Sequence, residues 1–171
     1  DMKTFIYDPY FLGTIYGDSI FPVWSSLLPE IYPAPLCKAY EEVILSTATR
    51  CGKSTCIAIA FAYEIMLLLC MINPAKTLLG KASGSLVMAI LSKDNATAVG
   101  QVATDLYKIL TLSPYFQSII EGDLAFSNIE KKGVMLTDSV LVKAGSSLAT
   151  IVGTDLFACC LDEANIGTTK I

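Results

Sequence analysis

The run Thr47-Ala48-Thr49-Arg50-Cys51-Gly52-Lys53-Ser54 combines small residues, a glycine, a lysine and a hydroxyl at a spacing that could hold a phosphate chain. It fits the pattern GxxxxGK[ST] at every position but the first, where Thr47 replaces glycine. In that pattern backbone N–H groups curl around phosphate oxygens, the lysine meets the β- and γ-phosphates, and the hydroxyl meets Mg²⁺. Lys53 and Ser54 would supply the last two groups, and Thr47, Ala48, Thr49, Arg50, Cys51, Gly52 and Thr55 would complete a nucleotide-binding loop. A second stretch, Leu156-Phe157-Ala158-Cys159-Cys160-Leu161-Asp162-Glu163, is an apolar run that ends in two carboxylates. A carboxylate at the end of a buried strand is costly unless it meets a cation, and Mg²⁺ shared with Ser54 would satisfy Asp162. Glu163 would then polarise an attacking water. Each stretch also has a plainer reading, a polar turn opening a helix in the first case and an acidic pair at a strand-to-loop turn in the second. Found in this order in one chain, they point to nucleotide hydrolysis.

The elements around these residues read as α/β. Val43 to Ser46 is a brief β-branched run that suits a buried strand before the loop, and Cys56 to Ile72 is a long apolar helix after it, ended by Asn73-Pro74. Ala75 to Ser85 reads as loop. Leu86 to Ser92 is a continuous apolar run, as expected of a strand covered on both faces. Asp94 or Asn95 can cap a helix whose face carries Ala98, Val102, Leu106, Ile109 and Leu110 and which stops before Ser113-Pro114. Val134 to Leu136 and Val140 to Ala144 form a hairpin around Thr137-Asp138-Ser139, Gly145 to Thr154 is a loop, and Leu156 to Leu161 is a third buried strand. Residues 1 to 36 hold five of the seven prolines and several aromatics, and read as irregular chain wrapping a domain, with a short helix over Val23 to Tyr32. The division expected is a wrapping segment over 1–36 and a core over 37–171.

Composition narrows the function classes. At 171 residues, 53% hydrophobic and 16% charged, the chain has enough apolar material for one substantial core and is too apolar for disorder. A net charge of −4 excludes a generally basic nucleic-acid module. No histidine is present, which removes Ser-His and Cys-His nucleophile arrangements and every zinc site that uses histidine. The six cysteines show no CxxC spacing and read as reduced, intracellular thiols, with Cys56, Cys70, Cys159 and Cys160 in apolar runs. Cys51, beside Arg50 and Lys53 at a helix start, reads as the most reactive, with Cys37 as its rival. No basic segment leads into an apolar one after Asp1, so no signal peptide is expected. Cys56 to Ile72 is short for a membrane span and carries Glu64 near its middle, so a buried helix is expected there.

From about Phe21 to Asn165 the chain resembles the ATPase domain of the large terminase subunit of tailed phages. The resemblance is carried by FPVW at Phe21, by EEVILSTATRCGKST, by SPYF at Ser113, and by AGSSLATIVGTDLFACCLDEAN ending at Asn165. It implies a P-loop NTPase fold of the RecA-like, additional-strand kind, with a mainly parallel sheet flanked by helices plus a β-hairpin. It implies ATP and Mg²⁺ as cofactors. Lys53 would bind the β/γ-phosphates, Ser54 and Asp162 would hold Mg²⁺, and Glu163 would be the catalytic carboxylate. Arg50 lies three residues before Lys53, where several relatives place an arginine four before, so it is open as a catalytic arginine finger or as a solvated, phosphate-steering side chain.

The partners implied are double-stranded DNA, a portal protein, a small terminase subunit and further copies in a ring on the prohead. The implied setting is the host cytoplasm, with no membrane. The family's coupling motif and nuclease domain are not within these residues, so the fold expected is incomplete at its C-terminal end. Two alternatives remain at this point, another P-loop ATPase such as a helicase-like protein, and a noncatalytic fragment that no longer binds nucleotide.

Overall fold

The computed structural model describes residues 1–47, 50–81, 84–92, 100–120, 129, 133–147, 149 and 151–162. The chain is α/β and divides into two compact units, one of residues 1–71 with 105–122 and one of residues 72–104 with 123–171.

In the first unit, α1 (Met2–Tyr7) starts on Asp1, whose carboxylate accepts from the Thr4 N–H at 2.9 Å. A short 3₁₀ turn (Gly17–Ser19) leads to α2 (Pro22–Ile31), with proline at its first position, where a missing N–H costs nothing. The long helix α3 (Lys53–Leu69) follows. Phe5 anchors the aromatic core, with its ring 5.3 Å from Tyr63 and 6.4 Å from Phe116, both edge-on. Phe116 belongs to α6 (Pro114–Ile119), which follows α5 (Val102–Leu112). The Tyr115 N–H donates to the Tyr10 carbonyl at 2.9 Å, so the N-terminal segment is stitched to α6 by backbone as well as by rings.

The N-terminal segment is thus more helical than its prolines suggest. Met2, Phe5 and Ile6 recur at helical spacing and are buried, a period too short to stand out beside the prolines. The expected helix over Val23 to Tyr32 is present as α2.

Val43 to Ser46 is not a strand. The segment has no regular structure and Ile44 is 82% exposed. A β-branched run becomes a strand only where a neighbouring strand accepts and donates its backbone hydrogen bonds, and all described strands belong to the other unit.

In the second unit, α4 (Pro74–Leu79) occupies part of the expected loop. Asn73 caps it, accepting from the Lys76 N–H at 2.9 Å, and Gly80 closes it in the left-handed conformation. The sheet has the order β2-β3-β1-β4, with β1 (Leu86–Ser92) parallel to both β3 (Val140–Gly145) and β4 (Asp155–Asp162), and β2 (Val134–Thr137) antiparallel to β3. The sequence places β1 and the hairpin where the structure has them. β1 is buried at every residue because it is paired on both sides and covered on both faces. β4 departs from expectation: it lies at the edge of the sheet, with Leu156, Cys159 and Leu161 exposed. A bulge at Phe157 shifts its register between Val87 and Met88 of β1.

The apolar helix α3 carries one buried carboxylate. Glu64 is 3% exposed and receives the Lys38 ammonium at 2.8 Å, and it also accepts a hydrogen bond from the Tyr32 hydroxyl. Burial, and then Glu64, push the Tyr32 hydroxyl well above its ordinary range, so this phenol stays a donor. Among the described residues no helix is long and apolar enough to cross a membrane.

Lys38→Ala should leave Glu64 buried with one partner fewer and lower stability by about 1–3 kcal/mol, at the lower end because the lysine is partly solvated. The double replacement Lys38→Met/Glu64→Leu should recover most of that loss. Urea unfolding of the three variants checks both statements.

Candidate functional site

The phosphate-loop residues fold as a turn that ends in a helix start. Gly52 is left-handed, with φ 77°, and serves as the N-cap of α3, whose first intrahelical bond runs from the Cys56 N–H to the Gly52 carbonyl at 2.9 Å. The N–H groups of Lys53, Ser54 and Thr55 precede that bond, at the positive end of a seventeen-residue helix dipole. Arg50, two residues earlier, is also left-handed, with φ 62°. The Thr47 hydroxyl and the Cys51 thiol are 2.7 Å apart, closing the loop from one side to the other. Ala48 and Thr49 lie outside the described residues.

Two aromatic residues of the α2 region form the floor of this turn. The Trp24 indole N–H donates to the Cys51 carbonyl at 2.6 Å, and Trp24 is 2% exposed. A Cβ added to Gly52 would stand 2.9 Å from the Phe21 ring and 3.3 Å from the Trp24 indole nitrogen, so only glycine fits. Just beyond the loop, the Thr55 hydroxyl donates to the Asp105 carboxylate of α5 at 2.9 Å, and Lys108 lies 3.6 Å from the same carboxylate. Tyr16 faces it too: burial first, and then the Asp105 charge, push its phenol up to about 12.

Asp162 belongs to the second unit and stands where the sequence puts it, at the C-terminal end of a parallel strand. It is 6% exposed and pairs in register with Ser92, the last residue of β1. Ser92 is 8% exposed, and its hydroxyl has no hydrogen-bond partner among the described residues. The carboxyl ends of parallel strands are where open α/β sheets place ligands. Glu163 lies outside the described residues. The donor set assigned to Mg²⁺, one hydroxyl and one carboxylate, is of the hard-oxygen type that cation takes.

The structure therefore gathers Thr47 and Arg50 through Thr55 in one turn of the first unit. It sets Asp162 at a strand end in the second. Phe21, Trp24, Asp105 and Ser92 were not singled out as site residues from the sequence. Phe21 and Trp24 stand out in the sequence as the ends of FPVW, not as neighbours of the loop. Ser92 had a signal, the same position at the end of an apolar run that marks Asp162.

No family model, curated protein or solved structure matches the chain.

The thiols need one correction. Cys70 and Cys159, expected to be covered, are exposed, Cys70 because α3 ends on it and Cys159 because β4 is an edge strand. Cys51 is half-buried. Burial pushes the Cys56 thiol up to about 12, and burial followed by Asp162 and Cys159 does the same for Cys160.

Gly52→Ala should cost about 1–2 kcal/mol for the left-handed backbone and at least about 1 kcal/mol more for the collision with Phe21. Gly80→Ala, at a left-handed glycine with open space around it, should show the backbone part alone. Thermal unfolding of the pair isolates the aromatic contact.

At pH 8 a thiol with a pKa of about 12 is thiolate for on the order of one part in ten thousand. Timed alkylation of the folded chain should therefore mark Cys37 and Cys70 early and Cys56 and Cys160 last. Cys159, exposed but with its thiol pushed up by desolvation, should fall between. Because the folded chain holds these protons more tightly, the stability they contribute is present below the ordinary thiol value of 9.0 and is lost as pH rises toward 12.

Proposed function

We propose that the chain is the ATP-binding and ATP-hydrolysing part of a motor of the terminase large-subunit type, which drives double-stranded DNA into a prohead. The observation that carries this reading is the left-handed Gly52 followed directly by Lys53 and Ser54 at the start of a long buried helix. A GKS sequence used as an ordinary surface turn has no need of a glycine pressed against two aromatic side chains.

In this reading the N–H groups of Gly52 through Thr55 cradle the phosphate oxygens, and the Lys53 ammonium offsets the charge on the β- and γ-phosphates. Ser54 and Asp162 are the residues that would hold Mg²⁺, which would neutralise charge on the phosphates. Glu163 orients the attacking water and takes its proton at a carboxylate oxygen. Arg50, held left-handed at the loop, is the steering cation. The fold that goes with the reading is a P-loop NTPase, and the partners that go with it are DNA, a portal protein, a small terminase subunit and further copies of the chain.

A second reading is favoured by one observation. Val43 to Ser46, which a phosphate-binding loop of this kind would have as its preceding buried strand, is exposed and unpaired among the described residues. On that ground the loop would be a structural helix start that binds no nucleotide.

Mg-ATP should raise the melting temperature of the full chain, since a ligand at a hundred times its Kd adds about 2.7 kcal/mol. Lys53→Ala should abolish the shift while leaving the melting of the ligand-free protein unchanged. Glu163→Gln should keep the shift and lose hydrolysis, read as phosphate release. An unshifted wild-type chain at saturating Mg-ATP would establish the second reading instead.

A further inference from the structure

The Cys51–Gly52 peptide is gripped from its aromatic side. The Trp24 indole N–H holds its carbonyl at 2.6 Å, and the Phe21 and Trp24 side chains lie against its glycine. In a trans peptide the C=O and N–H point in opposite directions within one plane, and the described chain has no cis bonds. Fixing the Cys51 carbonyl on the aromatic side therefore fixes the Gly52 N–H on the other side. In the chain it directly precedes the N–H groups of Lys53, Ser54 and Thr55 at the start of α3. A carbonyl turned the other way would put a negative dipole where an anion is to bind.

We infer that Trp24 is a positioning residue of the anion site: its indole N–H holds the Cys51 carbonyl turned away, so that the Gly52 N–H is presented to a bound phosphate. The inference rests on the phosphate-loop reading and adds to it a residue from outside the loop. Trp24 also makes the N-terminal segment part of the site, because α2 carries the indole and Phe21 directly precedes α2. Packing alone would be served as well by another large apolar side chain, whereas orientation of the peptide needs the donor.

The test uses the full chain and Mg-ADP as probe. Trp24 is the chain's one tryptophan, so a ¹⁵N spectrum contains a single indole N–H resonance. Trp24→Phe keeps a buried ring and removes the donor. It should remain folded, judged by its melting, and bind Mg-ADP about tenfold more weakly by calorimetry, as expected for the loss of one hydrogen bond that sets a binding group. In the wild-type chain the indole resonance should move on titration with the same midpoint as the Gly52 and Lys53 amides.

A folded Trp24→Phe with wild-type affinity overturns the inference and leaves the phosphate-loop reading intact. So does an indole resonance that stays fixed while those amides move, and this second measurement decides the matter if the variant does not fold. Absence of Mg-ADP binding by the wild-type chain overturns the phosphate-loop reading and the inference with it.

Discussion

The orientation of one peptide, between Cys51 and Gly52, constrains the rest of the first unit's candidate chemistry. Its carbonyl is held by the Trp24 indole and its glycine is pressed against Phe21, so the chain can leave only in the left-handed conformation. α3 starts from that residue, and the direction of its first N–H groups follows from the same turn. Further along, α3 presents Tyr63 to Phe5 and Tyr32, and Glu64 to Lys38. The helix that opens at the loop is thus also the member around which the aromatic segment and the buried ion pair are arranged. Apolar burial supplies the bulk of the stabilisation, while the polar contacts select one orientation of the loop.

What could be read from the sequence depended on how local the cause was. β1 was legible because six apolar residues in a row need cover on both faces, and the hairpin because its turn residues separate two short apolar runs. α2 and α5 were legible from their period, and α5 from the proline that stops it. Val43 to Ser46 misled because β-branched residues report only a preference for a pleated surface, and no described strand supplies one. β4 was placed correctly as a strand but not as an edge, since an apolar run says nothing of which neighbours it will have. At the candidate site the loop residues stood out by pattern, whereas Trp24 and Phe21 could be joined to them only once the chain had folded.

The phosphate-loop turn of the first unit and the strand ends of the second, each taken by itself, differ in how they handle polarity. In the first unit the polar groups are shared among neighbours: Thr47 with Cys51, Thr55 with Asp105, and the Cys51 carbonyl with Trp24. At the strand ends of the second unit, by contrast, a serine hydroxyl is buried with no partner among the described residues, beside a buried carboxylate in register with it. A buried hydroxyl without a hydrogen bond costs about 1–3 kcal/mol, a cost a fold built for stability alone would remove by putting alanine there.

Backbone strain falls at two non-glycine positions among the described residues. Leu36, at φ 59°, sits inside the tight turn in which the Cys37 N–H donates to the Ala34 carbonyl at 3.1 Å, and its strain is the local cost of reversing a chain constrained by Pro33 and Pro35. Arg50, at φ 62°, likewise lies in a turn, the one that leads into Gly52 and α3. A left-handed arginine costs roughly 1–2 kcal/mol, and asparagine or glycine would adopt the conformation more cheaply. What holds it there is the set of contacts on the next residue, the Thr47 hydroxyl on the Cys51 thiol and the Trp24 indole on the Cys51 carbonyl. Strain that the surroundings impose on a charged residue gathers where a side chain must be aimed. In the first unit the residue held this way is an exposed arginine, two positions before the glycine that caps α3.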